Sequence, residues 1–220
     1  MPWKDGPVNG LRFPDRTVTE LMDCSAPNQT GKALDLGCAV GASSFVLANF
    51  FERVTGLDFS ESFIEAANEI KRQGFLEYKY LEEGDTFGQG TVRCPEHSDK
   101  VTFVVGDACD LPNEWRSFDL VHAANLICRL PDPHVLFSRL PDLVKVGGQL
   151  LLATPFTWLE EFTPKDKWVG NGNSAQALGE ALSPHFKLEK SVDLPFVIRE
   201  HRRKFQFSVS LGTRWRRVKE

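Results

Sequence analysis

The sequence has no apolar run approaching the roughly 20 residues that a membrane-spanning helix needs, and its first residues lack the basic and apolar pattern of a secretory leader. It also lacks an excess of positive charge. Its 26 Lys and Arg stand against 30 Asp and Glu, a net charge of −4, so nothing in the balance draws the chain to nucleic acid or to an anionic membrane. The five cysteines (Cys24, Cys38, Cys94, Cys109 and Cys128) are scattered and odd in number. That pattern suits reduced thiols in a cytoplasmic compartment better than a disulfide framework. Cys94-Pro-Glu-His97 offers two metal ligands, but no second pair follows at zinc-site spacing, and no metal is expected. What remains is a globular composition, 41% hydrophobic and 25% charged, and a length that suits one α/β domain over residues 1–220.

Within that domain the stretch KALDLGCAVGASSFVLANFFERVTGLDFS, residues 32–60, reads as strand, Gly-rich turn, helix, strand. Such a unit places a nucleotide-like ligand at the carboxyl ends of parallel strands. The turn is D-x-G-x-A-x-G, through Asp35, Gly37, Ala39 and Gly41, with the two glycines four residues apart. A dinucleotide fingerprint has its outer glycines five apart over a helix N-terminus. The acid Asp35 just before the turn suits a cationic ligand with an amino group and suits a pyrophosphate poorly. Asp58 ends the second strand, where a carboxylate can accept hydrogen bonds from both ribose hydroxyls. Here the chain resembles the class I methyltransferases that bind S-adenosylmethionine, with Ala39 standing at their middle glycine. The turn residues Asp35, Gly37, Cys38, Ala39 and Gly41, together with Asp58 and Phe59, form the expected cofactor-binding set.

The rest of the chain reads around that unit. Residues 1–30 form an N-terminal arm or lid with one short helix, about Pro14 to Met22, entered through Asp15 as N-cap. Trp3, Arg12 and Phe13 either touch the ligand or staple the arm down. Ser60 caps a helix running to Arg72. Residues 75–99 read as an inserted β-hairpin, with Gly84-Asp85 and Gly88-Gln89-Gly90 as turn signals; such an insertion is either a solvated excursion or a specificity lid. Val101 to Val105 is a buried strand leading to Gly106-Asp107-Ala108-Cys109. The next strand, Phe118 to Ala123, leads to Asn125, and its His122 reads as a satisfied core histidine. Pro133 opens a helix and Gln149 to Ala153 is the fifth strand. The run Phe156 to Pro164 then carries Trp158, Glu160, Glu161 and Phe162, which with Trp168 can enclose a small cationic or zwitterionic acceptor. A helix over 174–182, strands over 186–192 and 205–211, and a basic loop between them complete a seven-stranded sheet. Arg199 in that loop is the expected partner of an acceptor carboxylate, and Arg214, Arg216, Arg217 and Lys219 read as a solvated terminus.

The class resemblance implies an α/β, Rossmann-like fold: seven strands, mostly parallel with the last antiparallel, helices on both faces, and the hairpin inserted after the second helix. It also implies that Asp107 bonds the adenine amino group, that Ala108 and Cys109 pack on the ring, and that Asn125 and Arg129 face donor and acceptor. The absence of Asn-Pro-Pro-Tyr or Pro-Cys motifs argues against base methylation. Further runs, TPFTWLEEFTPKDKWVG and LPFVIREHRRKFQ, resemble the methyltransferase domain of bifunctional ovothiol synthases. That resemblance implies methyl transfer from S-adenosylmethionine to a ring nitrogen of 5-thiohistidine, giving ovothiol A. Asn125 would orient the ring, and Glu160 or Glu161 would take the proton or hold the acceptor's ammonium. It implies too an iron-dependent sulfoxide synthase as partner, on the same chain or separate. Two alternatives stay open: another small amino-acid-like acceptor such as the histidine α-amine, and a non-catalytic domain that binds the cofactor to regulate a partner.

Overall fold

Strands buried on both faces read as nearly continuous apolar runs, and β1 (Lys32–Leu36), β2 (Arg53–Asp58), β5 (Val101–Val105), β6 (Phe118–Ala124) and β7 (Val144–Thr154) do so. The computed structural model, which describes residues 7–25 and 31–218, assembles them into one sheet with β8 (Phe186–His201) and β9 (Lys204–Arg217). The strand order is β5-β2-β1-β6-β7-β9-β8. All pairings up to β6–β7 are parallel, and β9 runs antiparallel to both β7 and β8. The expected architecture of seven strands with the last antiparallel is therefore the one observed.

Alternation along β1 divides the core. Leu34 and Leu36 face α4 (Pro133–Leu143) and α5 (Ser174–Leu182), while Ala33 faces α1 (Phe13–Thr19), α2 (Ala42–Leu47) and α3 (Glu61–Gln73). Helices thus cover both faces. The order reverses at β1: the chain steps outward through β2 to β5 and returns to β6 on the other side. That switch point leaves a crevice at the carboxyl ends of the strands.

Local chemistry sets the element bounds. Ser60 caps α3, its Oγ accepting the Phe63 amide at 3.3 Å, and Asp132 caps α4, accepting the His134 amide at 3.0 Å with Pro133 in the first turn. Helix α2 stops at Leu47. The Asn49 side chain donates through Nδ2 back to the Phe45 and Val46 carbonyls at 3.3 and 3.0 Å and competes with helical continuation. Helix α1 spans Phe13–Thr19, shorter than expected, and Asp15 is not its cap. Arg12 precedes the helix in a left-handed conformation, φ 55°, and Asp15 sits in the first turn, accepting from Arg12 Nε at 2.8 Å.

Two hairpins extend beyond this core of strands and helices. β3 (Phe75–Glu83) and β4 (Thr86–Arg93) pair antiparallel, with the turn at Gly84-Asp85 and a base closed by the Cys94 amide on the Gly74 carbonyl at 2.8 Å. Gly88 and Gly90, expected as turn residues, lie within β4. A Cβ on either would stand 2.6 Å from ring atoms of Tyr80 or Tyr78, so the bare glycines provide the floor on which the tyrosines lie. The second correction concerns β8 and β9, which continue through the segment read as a basic loop as far as His201 and back from Lys204. Arg214, Arg216 and Arg217 belong to β9 and are not a solvated tail: Arg216 Nη2 lies 2.8 Å from Asp23 and 3.0 Å from Glu189, and Arg217 is buried. Lys219 and Trp3 lie outside the described residues.

Candidate functional site

The crevice holds a cavity of about 670 Å³ whose lining includes Gly37, Asp58, Phe59, Asp107, Ala108, Asn125, Arg129, Glu161 and Phe162. This lies within the range of about 300–1,000 Å³ typical of small-molecule sites. Its first wall comes from the ends of β1, β2 and β5. The chain turns after Leu36 with Gly37, Ala39 and Gly41 all at positive φ, 68°, 48° and 88°. Glycine adopts that region freely, whereas Ala39 is held there at a cost of about 1–2 kcal/mol. Its amide donates to Asp58 Oδ2 at 2.8 Å, while the Ser60 amide donates to Oδ1 at 2.9 Å. Each Asp58 oxygen is thereby fixed and keeps a lone pair for a ligand hydroxyl. Asp107 accepts the Cys109 amide on Oδ1 at 2.7 Å and has no partner on Oδ2 among the described residues. Leu57, Phe63 and Ala108 supply apolar surface, and Phe59 stands at the mouth, 79% exposed.

The second wall comes from the end of β6 and the loop after β7. Asn125 sits at φ 54° with its amide on the Ala153 carbonyl at 2.7 Å, and its Oδ1 accepts from Ser210 Oγ at 2.7 Å. Arg129 donates through Nη1 to the Thr157 carbonyl at 2.8 Å and lies over the Phe162 ring, 4.8 Å from its centroid. That leaves Nη2 and Nε without partners among the described residues. Glu161 and Phe162 complete this side. Phe63, Leu126, Leu130 and Pro131 also line the cavity and were not singled out from sequence. Leu126 is the residue a Cβ on Gly37 would meet, at 3.0 Å, and no local pattern in the sequence announces that packing.

Several expected site residues fall elsewhere. Asp35 is 1% exposed and turned to the α1–α2 side of the sheet, where it accepts from Ser44 Oγ at 2.6 Å and bonds His122 Nδ1 at 2.7 Å. His122 Nε2 reaches Thr17 Oγ1 at 3.0 Å, and that hydroxyl donates to the Pro14 carbonyl at 2.8 Å. Thr17 therefore accepts from His122. His122 is the core histidine expected. Gly41 and Cys38 are also turned from the cavity: a Cβ on Gly41 would stand 2.3 Å from the Phe103 ring, and Cys38 is buried. Burial, followed by the Asp35 and Asp58 charges, pushes the Cys38 thiol far above its ordinary value, so it stays protonated. Burial likewise raises Cys109, which packs on the core and contacts the Asp132 carbonyl. Phe13 packs at a tilt against Phe196 with centroids 4.8 Å apart, the stapling role, and Arg12 pairs with Asp15.

On the acceptor side, Glu160 lies outside the cavity, exposed and 3.2 Å from Lys165. Trp158 and Trp168 stack on each other at 6.5 Å, donating to Ser174 Oγ and the Thr163 carbonyl, and line a separate shallow hollow before α5. Arg199 is remote from the cavity. It bonds Glu82 at 2.7 Å and lies 4.3 Å over the Tyr80 ring, tying the β8–β9 arm to the β3–β4 hairpin. The long strands carry it away from the sheet's carboxyl edge, which the reading of residues 193–204 as a loop did not allow for.

A family profile described as a methyltransferase domain matches residues 34–152, more than half of the chain. The chain belongs to this family. It is a methyltransferase domain of the S-adenosylmethionine-dependent kind. Among named relatives, methyltransferase str2 of Strobilurus tenacellus is 39% identical over 80 residues, 34% of this chain and 29% of the relative. The ubiquinone biosynthesis O-methyltransferase of Coxiella burnetii is 29% identical over 121 residues, 55% of this chain and 42% of the relative. The match thus spans less than half the length of either. Among solved structures, the N-methyltransferase NodS of Bradyrhizobium japonicum with S-adenosyl-L-homocysteine aligns at TM-score 0.60 and 14% identity, over 99% of this chain and 92% of NodS. The [4+2]-cyclase SpnF aligns at TM-score 0.63 and 15% identity, over 95% of this chain and 82% of SpnF. Those two likenesses concern the fold alone.

Proposed function

We propose that this methyltransferase acts on a small amino-acid-like acceptor and that the acceptor is 5-thiohistidine, methylated on a ring nitrogen. One observation carries the reading: Glu161 and Phe162, from the run that resembles ovothiol synthases, line the same cavity as Asp58, Asp107 and Asn125. The donor set fits S-adenosylmethionine. Asp58 would take the ribose hydroxyls, the unpartnered Asp107 oxygen the adenine amino group, and Leu57, Phe63 and Ala108 the faces of the base. When bound, that cofactor supplies a methyl group on a sulfonium, already activated toward a lone pair.

The protein's own task is then alignment and proton removal. As the lone pair of the acceptor nitrogen takes the methyl and the S–CH3 bond breaks to leave S-adenosylhomocysteine, the proton that the imidazole ring sheds passes to the Glu161 carboxylate. Arg129, whose Nη2 and Nε are uncommitted, pairs with the acceptor carboxylate in place of Arg199, and Phe162 beneath it packs against the ring. An iron-dependent sulfoxide synthase, on the same chain or separate, is the activity that would supply the acceptor. The test is a mass-spectrometric assay with S-adenosylmethionine and 5-thiohistidine, with histidine in parallel. One added methyl on the thiohistidine ring supports the reading; methylation of histidine alone moves the assignment to the α-amine, and no turnover of either removes it.

A further inference from the structure

Asn125 and Ser210 come from distant parts of the chain and meet at the edge of the cavity. Leu211 pairs with Thr154, the last residue of β7, so Ser210 is the first residue of β9 past the end of the parallel strands. It is fully buried, and the one hydrogen bond of its side chain among the described residues is the 2.7 Å donation to Asn125 Oδ1. Asn125 itself is pinned by its left-handed backbone and by its amide bond to Ala153, which leaves the side chain little choice of direction. With Oδ1 taken, Nδ2 and its two protons have no partner among the described residues, and Asn125 lines the cavity. Reversing the amide would turn Nδ2 toward the Ser210 oxygen and strand the buried hydroxyl proton.

We propose that Ser210 is a positioning residue for acceptor choice. By fixing the Asn125 amide with its N–H donors toward the cavity, it makes that wall select acceptors that present a hydrogen-bond acceptor group there. The inference rests on the reading of the cavity as the methyl-acceptor site. Two groups of the second wall then differ in polarity: Glu161 receives a proton donor, and Asn125 offers donors. A sulfur-bearing imidazole matches both, with a ring N–H for Glu161 and an electron-rich sulfur for Nδ2. Histidine has the ring but no sulfur to meet the Asn125 donors. Discrimination follows because a wrong partner leaves polar groups of the site unpaired.

The test compares Ser210→Ala, Ser210→Thr and Asn125→Asp with wild type. Steady-state rates are measured on 5-thiohistidine, and S-adenosylhomocysteine binding is measured by calorimetry. Ser210→Ala should lower kcat/KM for the acceptor about tenfold, the worth of one lost hydrogen bond, with the dissociation constant changed less than about twofold. Ser210→Thr, which keeps the hydroxyl, should stay near wild type. Asn125→Asp, which offers only acceptors, should fall by roughly a hundredfold or more. Wild-type kcat/KM in Ser210→Ala overturns the proposal. If wild type does not methylate 5-thiohistidine, the acceptor reading fails, and the amide orientation is judged by NMR on protein labelled with ¹⁵N at Asn. The Asn125 side-chain signal, identified by its loss in Asn125→Asp, should move in Ser210→Ala and hold in Ser210→Thr. An unmoved signal overturns the orientation itself.

Discussion

Asp35 offers a direct contest between two accounts of one residue. If it met the cofactor's ammonium, its removal would weaken binding and leave the fold alone. The structure makes it a buried structural acid, 1% exposed, with Ser44 Oγ at 2.6 Å and His122 Nδ1 at 2.7 Å. Asp35→Ala strands both partners in the core beneath the Gly37–Gly41 turn. Removing one member of a buried charged pair costs about 3–5 kcal/mol. For a domain of this size each kcal/mol lowers Tm by about 2–4 °C, so the variant should melt about 6–20 °C below wild type. Asp35→Asn keeps an oxygen for His122 and gives Ser44 a donor, and should lose less than half as much. Thermal unfolding by circular dichroism, with S-adenosylhomocysteine titrations well below the melt, checks both. An Asp35→Ala protein that melts with wild type but no longer binds the cofactor product would refute the reasoning.

Three further outcomes are expected. Ala39→Gly relieves a left-handed alanine; after the larger chain entropy of glycine is subtracted, it should stabilise by roughly 0.5–1 kcal/mol and raise Tm by about 1–4 °C in the same melts. Arg129→Ala should raise the KM for the acceptor about tenfold or more, a charge-assisted contact being lost, whereas Arg199→Ala, remote from the cavity, should leave that KM unchanged; equal effects would return Arg199 to the site. Asp23 is held at about 2 by the Ser25 hydroxyl and amide, then by Arg216, against an ordinary 3.8. A carboxylate lowered in the folded state adds stability above its unfolded pKa and loses it as pH falls. The stability gap between wild type and Asp23→Asn in urea should therefore be flat at neutral pH and close as pH falls from about 4 to about 2.

The parallel core was legible because its signals are local. Apolar runs, the Gly37–Gly41 turn, Asp58 at a strand end and the Ser60 cap each sit within a few residues of what they determine. The same holds for the first wall of the cavity, where the ends of β1, β2 and β5 put Asp58, Phe59, Asp107 and Ala108 together. The second wall was legible only in part. Two adjacent glutamates look alike in sequence, and it takes the path of the loop to put Glu161 on the cavity and Glu160 against Lys165. Arg199 was misplaced because Pro195 and the basic run interrupt the strand pattern, while β8 sits at the sheet edge, where a proline costs no ladder bond. Trp158 and Trp168 read as part of an acceptor enclosure because no local signal shows that they stack on each other instead. Ser210 could not have been found locally. Its partner is 85 positions away.

The closure of the β3–β4 hairpin at its base has a consequence for how this chain can vary. Because Cys94 bonds back to Gly74, the excursion leaves and rejoins the main path at one point. Its length is therefore nearly independent of the distance between α3 and β5, and the entropy of closing a longer or shorter excursion changes only slowly with size. A longer or shorter excursion would leave the register of the strands that carry Asp58 and Asp107 unchanged, and its one cost would fall on the Arg199–Glu82 tie to the β8–β9 arm.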